Sequence, residues 1–254
     1  MLLAIDVGNT NIVFGAFRKA KLEASWRAET DVHRMADEYA MLLKSFLETR
    51  GLAFSDLTGC IVASVVPPLT TTMRELSQRY LGTEALVIGA GIKTGVRVRI
   101  DNPSEVGADR IANSLAAYRA YGGPCVVIDI GTGATFDCVS AEGDYLGGAI
   151  APGIGIAAEA LFLRAAKLPR IELVAPPNVI GKNTTHAMQS GVVFGYVGLV
   201  EGLVARFRKE LGPDMKVIGT GGLAPVVAKL TNVFEVVDQD LTLQGLRMMY
   251  ELNQ

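Results

Sequence analysis

Two stretches of this chain end an apolar run with an aspartate and place a glycine two residues later. The first is Ile5-Asp6-Val7-Gly8, followed by Asn9-Thr10-Asn11. The second is Ile128-Asp129-Ile130-Gly131, followed by Thr132-Gly133-Ala134-Thr135. Glycine lets backbone N–H groups come close to an anion, so two such turns suit the phosphates of a nucleotide. Asn9, Thr10, Asn11, Thr132 and Thr135 could add side-chain donors. A carboxylate repels phosphate, so Asp6 and Asp129 must act through a cation. Hydrated Mg2+ is the usual choice, because it prefers carboxylate and water ligands. Either aspartate alone could simply finish a strand and cap a turn. The recurrence, about half a chain apart, favours phosphate binding by two similar halves.

Other polar clusters are less specific. Gly219-Thr220-Gly221-Gly222 follows an apolar run and opens a helix, a weak anion signal by itself. The Walker pattern G-x-x-x-x-G-K-[ST] does not occur, which excludes a P-loop enzyme. Asp101-Asn102-Pro103 and Gly107-Ala108-Asp109-Arg110 stand ahead of a small, apolar helix. Spacing alone does not separate a site there from an exposed ion pair or a helix first turn. His33 and His186 are isolated, with no partner at metal or triad spacing. Cys60, Cys125 and Cys138 sit in apolar runs and read as reduced core thiols.

The elements that must position these residues follow from hydrophobic patterning. Residues 2–7, 12–18 and 22–28 read as hairpin strands, 36–50 as a helix and 59–66 as a buried strand. A helix over 69–81 and a strand at 85–88 complete the first half. The second half repeats the order, with a helix within 106–121, a hairpin through 139, and a strand from 145. Helices are expected from Ile156 to about Ala166, from 185 to 211, from 223 to 230 and from 241 to 252. A strand then a glycine turn is expected over 216–222, and a strand at 233–237. Gly191, Gly195, Gly198 and Gly202 recur at near-helical spacing, which predicts close packing of the 185–211 helix within the fold or across a dimer interface.

The 254 residues suffice for one large or two small domains, expected at 1–112 and 113–254. A net charge of -2 provides no basic field for nucleic acid or an anionic membrane. The N-terminus lacks a cationic segment, and no apolar run reads as long enough to span a bilayer. The cytoplasm is the expected compartment.

The ordered set Asp6-Val7-Gly8-Asn9-Thr10-Asn11, Asn102-Pro103 with Gly107-Ala108-Asp109-Arg110, Asp129-Ile130-Gly131-Thr132 and Gly148-Ala149-Ile150-Ala151-Pro152-Gly153 resembles type III pantothenate kinases. Asp37-Glu38-Tyr39, Ser64-Val65-Val66-Pro67-Pro68 and Gly181 to Gly191 extend the likeness over almost the whole chain. The resemblance implies an α/β fold of two ribonuclease H-like, actin-like ATPase halves with mixed five-stranded sheets, flanking helices and a nucleotide cleft between them. It implies ATP-dependent phosphorylation of pantothenate to 4'-phosphopantothenate, the first step to coenzyme A. It also implies a homodimer, Mg2+ and a monovalent cation, K+ or NH4+.

By position, Asp6, Val7, Gly8, Asn9, Thr10, Asn11, Ile12, Val13 and Thr132 would bind ATP. Asp6 would reach Mg2+ through water, and Asp129 would hold the monovalent cation. Gly107, Ala108, Asp109, Arg110 and Thr184 would contact pantothenate, with Asp109 as base. Two positions depart from the family. Ile100 stands where many members have a substrate-contacting Tyr. The second turn reads Gly131-Thr132-Gly133-Ala134-Thr135-Phe136-Asp137 rather than Gly-Thr-Ala-Thr-Thr-Phe-Asp.

Transfer through a loose transition state needs positioning and charge neutralisation more than covalent help. Side-chain carboxyls as a class have a pKa of about 4, far below an alcohol's, so the base would orient the hydroxyl and take its proton late. Competing expectations are a sugar or acetate kinase of the same wider fold, and a catalytically weak regulatory relative.

Overall fold

The computed structural model describes residues 1–165 and 167–254. Contacts divide the chain into two compact units. One comprises Met1–Gly95, Asn102–Ala116 and Leu241–Gln254; the other comprises Val96–Asp101 and Ala117–Asp240. The expected cut at 112/113 falls inside the helix α3 (Ala108–Tyr121), whose first turns count with the first unit and whose end counts with the second.

The first unit is built on strands β1 (Leu2–Val7), β2 (Asn11–Arg18), β3 (Lys21–Glu29), β4 (Gly59–Ser64) and β5 (Ala85–Val87), in the order β3-β2-β1-β4-β5. The hairpin pairs are antiparallel, and β4 and β5 join in parallel. Leu3, Ile5, Val7, Ile12, Phe14, Cys60 and Val62 point to one face. There they meet Tyr39, Leu43 and Leu47 of α1 (Ala36–Glu48) and Leu69, Met73 and Leu76 of α2 (Pro67–Leu76). Asp37 and Glu38 sit at the positive end of α1, where the Glu38 side chain accepts from the Met35 N–H. Pro67 and Pro68 start α2, where a missing N–H costs nothing. The helix continues as a π turn over 77–81.

The opposite face is covered by α8 (Leu241–Leu252), which returns from the chain's far end. A Cβ on Gly15 would meet Leu243, one on Gly59 would run into the Tyr250 hydroxyl, and one on Gly245 would run into the Ala112 carbonyl. Three glycines therefore let α8 and the start of α3 seat closely.

The second unit repeats the topology with β6 (Cys125–Ile130), β7 (Gly133–Val139), β8 (Tyr145–Pro152), β9 (Lys216–Thr220) and β10 (Val236–Val237), ordered β10-β9-β6-β7-β8. Val126, Ile128, Ile130, Phe136 and Val217 face a core closed by α4 (Ile154–Arg164), α6 (Gly195–Leu211) and α7 (Ala224–Ala228). The expected end of α4 near Ala166 lies outside the described residues. The last strand is shorter than the expected 233–237, because only Val236 and Val237 pair with β9.

The helical run Thr184–Leu211 comprises α5 (Thr184–Gln189), a π turn at 190–194 and α6. Contrary to the sequence expectation, it is long and apolar enough to cross a membrane by length and composition. Half of its most apolar window is buried, with Val192, Val193, Tyr196, Val197, Val200 and Val204 in the second core. A core helix passes the same test, because burial selects the same residues.

The three cysteines are free and buried, and burial pushes each thiol up to about 12. They are inert packing residues.

Candidate active site

In the first unit Asp6 is the penultimate residue of β1 and sits on the face opposite the Leu3–Ile5–Val7 core. Its cross-strand partners are Val13 on β2 and Ala63 on β4. The turn that follows is closed by the Gly8 N–H donating to the Asn11 carbonyl at 3.0 Å. A Cβ on Gly8 would stand 3.1 Å from that oxygen, so a side chain there would require the turn to give by a few tenths of an ångström. Thr30 braces it from β3's end: its hydroxyl donates to the Gly8 carbonyl at 2.7 Å and its N–H to the Thr10 carbonyl at 3.0 Å. No sequence motif marked Thr30, because its role comes from strand pairing.

Asn9, Thr10 and Asn11 are exposed and can meet a ligand with their side chains. Val7 and Ile12 are buried, so they can offer only backbone, and the Val7 carbonyl already accepts the Val65 N–H. A cleft of about 420 Å³ lies beside this turn, lined by Asn9, Glu29, Thr30, Asp31, Val32, His33 and Val66. It contains neither Asp6 nor Asp109. Its two carboxylates make it a poor phosphate seat.

Asp109 stands in the first turn of α3, where the helix dipole favours a carboxylate. A Cβ at Gly107 would run into Asp109 Oδ1 and lie 3.8 Å from the Val65 side chain. Val65 in turn is bonded to Val7. The Gly107–Arg110 turn therefore lies at the same end of the β1–β4 pair as the Asp6 turn. Asp109 Oδ1 is buried and has no hydrogen-bond partner. Buried carboxylate oxygens are normally satisfied, and an orphan costs about 1–3 kcal/mol.

In the second unit Asp129 occupies the corresponding place in β6, opposite Thr135 on β7 and Thr220 on β9. Its turn is closed by the Gly131 N–H donating to the Gly133 carbonyl at 2.9 Å. The N–H groups of both turn glycines, Gly8 and Gly131, are thus spent inside their own turns. Any backbone donors these turns offer an anion would have to come from the residues between, Asn9–Thr10 and Thr132. Thr132 is exposed at the tip, with its carbonyl accepting the Gly153 N–H at 3.1 Å. A Cβ on Gly153 would run into the Gly131 and Thr132 carbonyls, which explains a glycine there.

Thr135 is not a phosphate donor. It lies within β7, half-buried, and donates its proton to Asp137 at 2.9 Å. The third glycine turn acquires a role here: a Cβ on Gly221 would run into Asp129 Oδ1 and sit 2.7 Å from the Ile130 N and O. Burial pushes the Tyr196 hydroxyl up to about 12, with the Asp129 charge adding to the shift. Thr184 opens α5 and is exposed.

Two sheets of identical strand order, each with an aspartate-and-glycine turn after its central strand, define the actin-like ATPase and sugar kinase fold. A glucomannokinase from Arthrobacter that uses inorganic polyphosphate or ATP is similar over the full chain (TM-score 0.52, 17% identity, 99% of that chain). A conserved protein from Campylobacter jejuni assigned to the Baf family of transcriptional activators is similar over 99% of this chain and 98% of its own (TM-score 0.61, 21% identity). The family model for type III pantothenate kinase matches residues 2–206. Type III pantothenate kinases of Roseiflexus sp. strain RS-1 and Moorella thermoacetica are 54% and 53% identical over 253 residues, covering 99% and 100% of those proteins. The chain belongs to the type III pantothenate kinase family.

Proposed function

We propose that this chain transfers the γ-phosphoryl group of ATP to the primary hydroxyl of pantothenate, giving 4'-phosphopantothenate on the route to coenzyme A. The observation that carries the assignment of the base is the buried, unpartnered Oδ1 of Asp109. A substrate hydroxyl would supply the missing donor. Gly107, Ala108, Arg110 and Thr184 would contact the rest of pantothenate. Asp6, Val7, Gly8, Asn9, Thr10, Asn11, Ile12, Val13 and Thr132 would bind ATP, with Val7 and Ile12 contributing backbone alone.

Mg2+ fits Asp6 through water. Its strand neighbours Val13 and Ala63 bring no side-chain oxygen, and Mg2+ keeps several waters. Among the described residues no group of three or more His, Cys, Asp or Glu side chains is arranged to hold a metal. Mg2+ would supply charge neutralisation on the phosphates. K+ or NH4+ fits Asp129, beside two threonines. The chain's own work is then to align the hydroxyl with Asp109 and accept its proton late in transfer. A cytoplasmic setting agrees with three buried, unpaired thiols.

The deciding assay is ADP release with and without pantothenate, in KCl and in choline chloride. Pantothenate-dependent release that needs K+ is expected. No turnover in either salt would favour a regulatory role, and release with sugars or acetate would favour another kinase of the same fold.

We also propose a homodimer through the outer face of the 184–211 helix. Gly191, Gly195 and Gly198 are exposed, and a Cβ on any of them would meet nothing within 4 Å, so they do not serve packing within the fold. Exposed Leu163, Val179 and Ile180 in the same unit add apolar surface. Gly195→Glu should leave the protein folded and convert a dimer to a monomer in light scattering. An unchanged mass would rule this face out.

A further inference from the structure

Between α4 and α5, residues 167–183 form neither helix nor strand. Loops of that length are uncommon in compact domains, and the ordered ones are usually functional. Their backbone carbonyls have no ladder to join, so each needs another partner. This strap is pinned at several points. The Arg170 guanidinium lies over the Phe162 ring of α4, 4.8 Å from its centre. Ile171 and Leu173 pack on the second core. A Cβ on Gly181 would run into the Ala187 backbone, so the strap returns against α5 with no space for a side chain. The Asn183 side chain then accepts the His186 N–H at 2.8 Å and caps α5. Thr184 is the next residue.

Two further pins come from side chains that no motif marked. Gln189, 7% exposed, donates from Nε2 to the Glu172 carbonyl at 3.2 Å. Ser190, 9% exposed, donates its hydroxyl proton to the Val179 carbonyl at 2.6 Å. They are the last residue of α5 and the first of the π turn, a distortion found often at functional sites. Polar groups this buried commonly serve the fold. Here the residues they hold, Glu172 and Val179, are exposed, so a released carbonyl can be taken up by water. The stability of the unit therefore depends little on these two bonds, whereas the course of the strap depends on them. α5 has only six residues, too few to hold helical form unaided. Where it begins is set by the chain that enters it.

We infer that Gln189 and Ser190 are positioning residues for Thr184, fixing through the strap the place at which α5 begins. This rests on the pantothenate contact proposed for Thr184 and adds what holds that hydroxyl in place. Neither tether has to touch substrate.

The test is steady-state kinetics of the full chain. Thr184→Ala should raise the pantothenate KM by about two- to tenfold, the scale of one neutral hydrogen bond. Ser190→Ala and Gln189→Met should each raise it at least about twofold and no more than Thr184→Ala does, with kcat and the ATP KM unchanged, as for lost uniform binding. Adding Ser190→Ala to Thr184→Ala should raise it no further, because both act through one hydroxyl. Limited trypsin digestion should cut Ser190→Ala after Lys182 faster than the wild type, with Tm lower by no more than about 4 °C. Additive KM increases in the double variant, or a parallel rise in the ATP KM, would show a general structural role and overturn the inference. Unchanged cutting after Lys182 would show that Ser190 does not hold the strap. Wild-type KM in both tether variants, with a rise in Thr184→Ala, would overturn the tether roles and leave the Thr184 contact standing. A pantothenate KM unmoved by Thr184→Ala, or a wild type without pantothenate-dependent turnover, would overturn both.

Discussion

Asp109→Asn is expected to lower kcat by about 10²- to 10⁴-fold, the usual contribution of a placed general base, while ATP binding persists. The substitution keeps the shape of a side chain whose Oδ1 is buried beside Gly107. It removes the acceptor that an incoming hydroxyl would use. Asp109 lies outside both aspartate-and-glycine turns, so the nucleotide contacts proposed for Asn9–Asn11 and Thr132 would remain. Single-turnover kinetics and an ATP titration followed by Tm separate the two effects. Near-normal kcat would sink the assignment of Asp109 as base, and lost ATP binding would place it in the nucleotide site.

Gly221→Ala should lower Tm and weaken the K+ activation proposed for Asp129, whereas Gly131→Ala should leave the Tm of the free protein unchanged. Gly221 has φ +86°, a conformation that costs an L-residue about 1–3 kcal/mol. For a chain of this size that is about 2–12 °C in Tm. Its new methyl would also push the Asp129 carboxylate from its place. Gly131 belongs to the more conspicuous motif, yet a Cβ there would lie 3.8 Å from both Asp129 Oδ1 and the Gly133 carbonyl, an ordinary contact. The fold does not require that glycine, so a loss of ATP affinity in Gly131→Ala would mark close approach by the nucleotide. Equal destabilisation by the two alanines would contradict this geometry.

Much was legible from the sequence. Hydrophobic alternation located the strands of both sheets to within a few residues, because buried faces impose that period. The repeated Asp-x-Gly turns revealed the duplication, because glycine marks tight backbone wherever it occurs. The family motifs then suggested a base at Asp109, where spacing alone does not separate a site from an ordinary helix start.

Other features depended on contacts between residues distant in sequence. That α8 returns to cover the first sheet follows from Gly15, Gly59 and Gly245, whose partners lie far along the chain. That the Gly8 and Gly131 N–H groups are spent inside their turns is a matter of hydrogen-bond direction, which residue type does not encode. The Gly191–Gly202 spacing was visible, but only the folded helix shows that its first three glycines face open space. The sequence alone determined that two aspartate turns exist and that a phosphoryl-transfer family owns them. Which of them has hydroxyl-bearing strand neighbours was decided by tertiary structure, because strand register sets Thr135 and Thr220 opposite Asp129 but Val13 and Ala63 opposite Asp6.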